Sequence, residues 1–142
     1  MSGALVLATT YLLHVLAVYD GDTLTAQVLL PEPLDAVSIR IRGIDTPEMP
    51  ASSYRETGRL GRAGCKAEAE AAIAARDLVD KLVRAAGGAV RVGNLAWDKY
   101  GGRILADVQA GDVFIAEALL QAGLAVRYDG GTKAANWCEA SP

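Results

Sequence analysis

The sequence predicts an α+β, mainly β fold: a five-stranded Greek-key barrel closed on itself, with a long helix between strands 3 and 4 and a short helix after strand 5. Three observations carry this. Short apolar runs between turn signals fill the first third of the chain and recur in its second half; one alanine-rich stretch of helical period separates them; no repeat or linker divides the 142 residues. That length fits one domain, residues 1–142, able to bury an ordinary core without metals as scaffold.

The first strand is expected over residues 12–19. The run upstream of it is rich in Leu, Val and Ala. It carries Thr9, Thr10, Tyr11 and His14, lacks a basic start and is too short for a bilayer, so neither signal peptide nor membrane anchor is expected in the given chain. Asp20-Gly21 between apolar runs signals a hairpin, because glycine accepts the positive φ such a turn demands. Thr23, Thr25 and Gln27 then alternate with Leu24, Ala26 and Val28 as a second strand with one wet face, ended by Pro31-Glu32-Pro33. Residues 37–44 form the third strand.

Residues 49–64 lose all periodicity, with glycines interleaved among Arg55, Arg59 and Arg62. They predict a mobile basic loop, either a solvated connector or a flap that holds a polyanion. Residues 65–86 are the long helix, with Ala72, Ala75, Leu78, Val79, Leu82 and Val83 on one stripe. Glu68 and Glu70 near its start and Lys81 and Arg84 near its end suit the helix dipole, and Gly87-Gly88 stops it. Residues 89–95 and 103–109 are the last two strands, and 115–122 the short helix closed by Gly123; the tail beyond reads as irregular. Strands and helices in this order make a barrel of the oligonucleotide-binding (OB) type.

A formal charge of −3 argues against coating nucleic acid by bulk electrostatics, so any such role needs locally concentrated cations. Cys65 and Cys138 are too few and too far apart for a zinc site; two thiols and one disulfide both remain open. The densest chemistry lies in Ile39-Arg40-Ile41-Arg42-Gly43-Ile44-Asp45-Thr46-Pro47-Glu48. Asp22 after the hairpin and Asp45 at the third strand's end meet if the strands curve, and two hard carboxylates with a backbone carbonyl suit Ca²⁺, whereas Mg²⁺ would keep more water. Alone, each is an ordinary turn or strand-end aspartate. Glu48 suits a general base, or simply a charge at a turn. Arg40 and Arg42 share strand parity, both opposite to Asp45 in a flat sheet, so either suits a phosphate clamp or a plain surface strand. Lys99, Tyr100 and Arg103 bracket a glycine pair, a pattern fit for nucleic acid or for a plain hairpin loop.

Together these segments resemble the staphylococcal nuclease (thermonuclease) family. Its ordered motifs appear as Asp20 to Thr23, Arg40 to Glu48, Asp98 to Arg103, and Glu117 to Ala125, and the likeness spans about residues 12–128. The resemblance implies Asp22 and Asp45 as calcium-ligand carboxylates, the Thr46 carbonyl as a further ligand, and Glu48 as the group that orients or deprotonates water. It implies Arg40, rather than Arg42, and Arg103 as phosphate clamps, Lys99 and Tyr100 as holders of a terminal phosphate, and Tyr128 as a base-stacking aromatic. It also links the tail through Trp137-Cys138 to a cysteine before the long helix, which suggests a Cys65–Cys138 disulfide.

Three departures stand out: Gly101-Gly102 where the simplest pattern has one glycine, so that Arg103 needs a bulge; a stretch before Tyr128 that is one residue short; and the basic segment 49–64. The resemblance implies a monomeric calcium-dependent nuclease of DNA and RNA with little sequence preference and a leaning to single strands, leaving 3′-phosphates and using no membrane. Relatives are often secreted or periplasmic. The alternatives are an OB-fold nucleic-acid-binding or interaction module with weak or no turnover, and a structural barrel unrelated to nucleic acid.

Overall fold

Five strands close into a barrel because its third and fifth members pair in parallel. The computed structural model describes residues 10–28, 36–98, 102–131 and 135–139. Strands β1 (Tyr11–Val18), β2 (Thr23–Val28) and β3 (Val37–Ile41) form an antiparallel meander, followed by a short β4 (Ile44–Asp45). After helices α1 (Tyr54–Thr57) and α2 (Lys66–Ala85), strand β5 (Ala89–Trp97) pairs antiparallel with β1, and β6 (Ile104–Ala110) with β5. Closure comes from β3 against β6, where Ile39, Arg40 and Ile41 face Ile104, Leu105 and Ala106. Then follow β7 (Val113–Phe114), α3 (Ile115–Gln121) and β8 (Val126–Arg127), the last pairing with β4. The expected OB-type barrel and helix order are present. The tail expected to be irregular contains β8, and Pro31-Glu32-Pro33 lies outside the described residues.

The alternating apolar positions fill the interior: Leu24, Ile39, Ile41, Val90 and Val92 are all nearly inaccessible. Each such side chain contributes about 1.5–3 kcal/mol by leaving water, more than any exposed ion pair. Helix α2 covers one end with Ala75, Val79 and Val83, and Ala69 and Ala72 are buried on the same face toward its start. Leu78 and Leu82, expected on the stripe, are half-buried at its flank. Cys65 caps the helix with its sulfur accepting from the Glu68 amide, and Gly87 and Gly88 stop it at φ 80° and 86°.

Two local expectations change. Gly21 does not adopt a positive φ. Its side is crowded instead: a Cβ there would sit 2.8 Å from Ala75 Cβ and 2.9 Å from Thr46 Cγ2, so the hairpin turn is pressed against α2 and the strand carrying Asp45. Residues 49–64 are also not a plain loop. Tyr54 and Ala63 are buried with Ala69 in a second small core, flanked by Leu60 and Ile73. Tyr54 Oη donates to Glu70 Oε2 at 2.6 Å, and Arg55 holds the same carboxylate at 3.0 Å. The period was invisible because these anchors belong to turns and to one helical turn of four residues.

Candidate phosphodiester site

The site begins at the β1–β2 turn. Asp20 Oδ1 accepts the Asp22 amide at 3.0 Å, an Asx-type turn, and the Ile41 amide donates to the Asp22 carbonyl at 2.8 Å, pinning the turn to β3. This turns the Asp22 carboxylate inward and leaves the residue as a whole only 7% exposed. Its Oδ1 accepts from Thr23 Oγ1 at 3.1 Å, and its Oδ2 from the Thr46 amide at 3.3 Å. Burial, and then the charge of Asp22, push the Asp20 carboxyl up to about 7.

Strand parity would send Arg40 and Asp45 to opposite faces. Gly43 at φ 81° removes that constraint by turning the chain between β3 and β4, so both side chains reach one place. Arg40 Nη1 lies 3.0 Å from Asp22 Oδ2, and Nη2 lies 3.9 Å from Asp45 Oδ1 and donates to the Ile44 carbonyl at 3.2 Å. Arg40, Asp45 and Thr46 are buried alongside Asp22. Arg42 instead donates to the Asn94 carbonyl at 2.8 Å, tying the turn after β3 to β5.

Glu48 is half-buried past Pro47, with its amide donating to Glu68 Oε2 at 3.0 Å. Arg103 is held through Nη2 at 2.8 Å from Asp98 Oδ2. Gly102, at φ 78°, immediately precedes it; the expected bulge falls partly on residues 99–101, and Lys99 and Tyr100 lie outside the described residues. Tyr128 is tied in by its amide to the Gly43 carbonyl and by its hydroxyl to the Gly131 carbonyl.

Arg40, Arg42, Arg103, Tyr128, Trp97 and Leu105 line a cleft of about 750 Å³, with Asp98, Asp107 and Asp129 also on its walls. Arg40 thus belongs to both the buried acid cluster and the cleft. Sequence reasoning missed Trp97, which is 75% exposed at the cleft, and Glu68, which holds Glu48. Trp97 stood beside the Asp98-to-Arg103 motif, and Cys65-x-x-Glu68 has capping-box spacing; either signal was available. Cys65 and Cys138 form a disulfide with Cα atoms 5.8 Å apart, fastening the tail to the start of α2.

Among the described residues no cluster of three His, Cys, Asp or Glu side chains is gathered as an ion site. The donors that fit a hard cation are the Asp22 and Asp45 carboxylates and the expected Thr46 carbonyl; the buried Thr46 Oγ1 has no hydrogen-bond partner among the described residues. The Asp22 and Asp45 carboxylates share the Arg40 guanidinium, and Asp22 also accepts from the Thr23 hydroxyl and the Thr46 amide.

A closed OB-type barrel, with a buried acid–arginine cluster beside a cleft lined by aromatic side chains and by charges of both signs, defines the class. Residues 38–138 match the family model described as Staphylococcal nuclease homologue, and the chain belongs to that family. No curated protein matches it. No described helix is long and apolar enough to cross a membrane.

Proposed function

We propose that the protein is a calcium-dependent nuclease that hydrolyses phosphodiester bonds of DNA and RNA with little sequence preference. The observation that carries this is the Arg40 guanidinium, 3.0 Å from Asp22 and 3.9 Å from Asp45, with one edge open to the cleft. That arrangement pairs a cation-accepting acid set with an anion-binding arginine. Family membership supports nucleic acid as the substrate.

In this reading Asp22, Asp45 and Thr46 hold Ca²⁺, which when bound polarises the phosphoryl oxygen and lowers the cost of developing charge. Glu48 takes a proton from a water that attacks phosphorus. The P–O5′ bond breaks opposite the attacking oxygen, the departing 5′ oxygen regains a proton through solvent, and a 3′-phosphate remains. Arg40 and Arg103 stabilise the charge on the equatorial oxygens, each exchanging a carboxylate partner for phosphate. Lys99 and Tyr100 hold a terminal phosphate, and Tyr128 with Trp97 offers stacking faces that favour single strands. The protein acts as a monomer.

Digestion of single-stranded and plasmid DNA and of RNA, with Ca²⁺ or with EGTA, tests this directly when followed by end-group analysis. Calcium-dependent products ending in 3′-phosphate are expected, and Arg40→Gly and Glu48→Ser lose the activity. Undiminished cleavage in EGTA, or by Glu48→Ser, would remove the metal or base assignment. Binding of single strands without cleavage under every condition would favour the non-catalytic barrel, a reading to which the engagement of both arginines by Asp22 and Asp98 lends itself.

A further inference from the structure

One carboxylate on α2 ties together three pieces of chain that meet beside the candidate site. Glu68 Oε2 accepts the Glu48 amide at 3.0 Å, and Glu68 Oε1 accepts the Gly64 amide at 2.8 Å. The amide of Glu68 itself donates to Cys65 Sγ at 3.4 Å. Cys65 is bonded to Cys138, and a Cβ placed on Gly64 would lie 3.3 Å from both Cys138 Sγ and Glu68 Oε1. The disulfide therefore forms a wall of the space in which the Glu68 carboxylate sits.

This matters because of what lies between Asp45 and Glu48. The Thr46 amide is fixed by Asp22 at 3.3 Å, and Pro47 is fully buried and has no amide hydrogen. The Glu48 amide is the next backbone donor, and Glu68 takes it. The short segment is thus pinned from the hairpin at one end and from α2 at the other. A capping role alone would need Glu68 to face its own helix start; its second oxygen instead reaches twenty residues back in sequence.

We propose that Glu68 is a positioning residue that holds Glu48 in its working place, and that the Cys65–Cys138 disulfide keeps Glu68 aimed at it. The catalytic consequence rests on the reading of Glu48 as the base, whereas the pin itself does not. A small displacement of a base from its water costs rate with little change in substrate affinity.

The test is a two-by-two cycle on the full chain: wild type and Glu68→Ala, each with the disulfide intact and with both cysteines changed to serine. Expected for Glu68→Ala are a fall in kcat of roughly tenfold to a hundredfold, with KM and the calcium midpoint within about twofold, and fast hydrogen exchange at the Glu48 amide. The cysteine pair lowers kcat less, and adds little on top of Glu68→Ala because both act through one contact. Glu68→Gln, which retains one carbonyl acceptor and the helix, falls between wild type and Glu68→Ala and guards against simple misfolding. Unchanged kcat and Glu48 amide protection in a folded Glu68→Ala would overturn the pin. Equal cysteine effects in both backgrounds would overturn the disulfide's part. If Glu48→Gln keeps full activity, the base assignment fails, and the amide exchange still decides the pin separately.

Discussion

Arg40 Nη1 sits 3.0 Å from Asp22 Oδ2, and both side chains are 10% exposed. A buried ion pair of this kind is weak evidence for stability, because desolvation of two charges offsets most of their attraction. Removing one partner is another matter. Arg40→Gln leaves Asp22 and Asp45 as neighbouring buried acids, and a loss of about 3–5 kcal/mol is expected in calcium-free buffer. On the proposed calcium reading, Ca²⁺ supplies the missing positive charge and is expected to raise the Tm of the variant more than that of wild type. Thermal melts with EGTA and with Ca²⁺ check both parts, and an equal rise in the two proteins would contradict the shared-locus account.

Gly21 separates the hairpin turn from α2 by less than one methyl group. Gly21→Ala puts a Cβ 2.8 Å from Ala75 and 2.9 Å from Thr46 Cγ2, neither of which is the end of a flexible side chain. Overpacking of this sort costs about 1–3 kcal/mol. Because Thr46 must give way, the calcium midpoint is expected to rise as well if Thr46 is the proposed ligand. Urea denaturation and calcium titration of the variant measure the two effects independently.

The Cys65–Cys138 bond closes a loop with a sequence separation of 73. Loss of a crosslink over such a span frees unfolded-chain entropy worth about 4 kcal/mol in the chain-entropy model. The double serine variant is expected to unfold at markedly lower urea than the oxidised protein, with dithiothreitol shifting only the wild type. A reductant-insensitive wild type would show the bridge not to be formed in solution.

The anchor of residues 49–64 titrates. The hydrogen bond from Tyr54 holds the Glu70 carboxyl below its ordinary value of 4.5, helped by Arg55, and the same bond raises the Tyr54 phenol above 10.0. A depressed carboxyl contributes stability that is present above its unfolded pKa and lost as pH falls through the folded one. A raised phenol contributes stability present below its unfolded pKa and lost as pH climbs through the folded one. Glu70→Gln should therefore flatten the fall in stability below pH 4.5, and Tyr54→Phe the fall above pH 10. Denaturant midpoints across pH in the two variants provide the check.

Trp97 exposes its ring at the cleft, and base stacking is worth about 1–3 kcal/mol per base. Trp97→Ala is expected to weaken binding of a labelled single strand roughly fivefold to a hundredfold in EDTA, where no cleavage intervenes. Fluorescence anisotropy reads this, with duplex DNA losing less than oligothymidylate. An unchanged affinity would take Trp97 out of the binding surface.

Much of the architecture was legible because it follows from local period. Alternation placed β1, β2, β3, β5 and β6 within a few residues, and the alanine-rich stripe marked α2 almost to its ends. Asp22, Asp45 and Arg40 could be named, since carboxylates and arginine clustered around a proline-stopped strand carry a chemical signal that survives without coordinates. Parity, however, left Arg40 and Arg42 tied, and it set Arg40 against Asp45. The positive φ at Gly43 removed the second obstacle, by turning a strand expected to run to residue 44 into two short ones, whereas the first was broken only by the family resemblance.

By itself, then, the sequence determined the order of the five barrel strands and the two longer helices, the barrel class and the residues rich in site chemistry, because side-chain period and composition act over a few neighbours along the chain. Only the tertiary structure decided the rest. It brought Glu68 to the Glu48 amide across twenty residues, set Trp97 and Tyr128 on one cleft, buried Tyr54 in a segment with no period, and made Gly21 necessary for space rather than for φ. Each depends on how far apart distant segments come to rest when the barrel closes and α2 packs on it. No local pattern encodes that distance, because the contact energies involved exist only once both partners are in place.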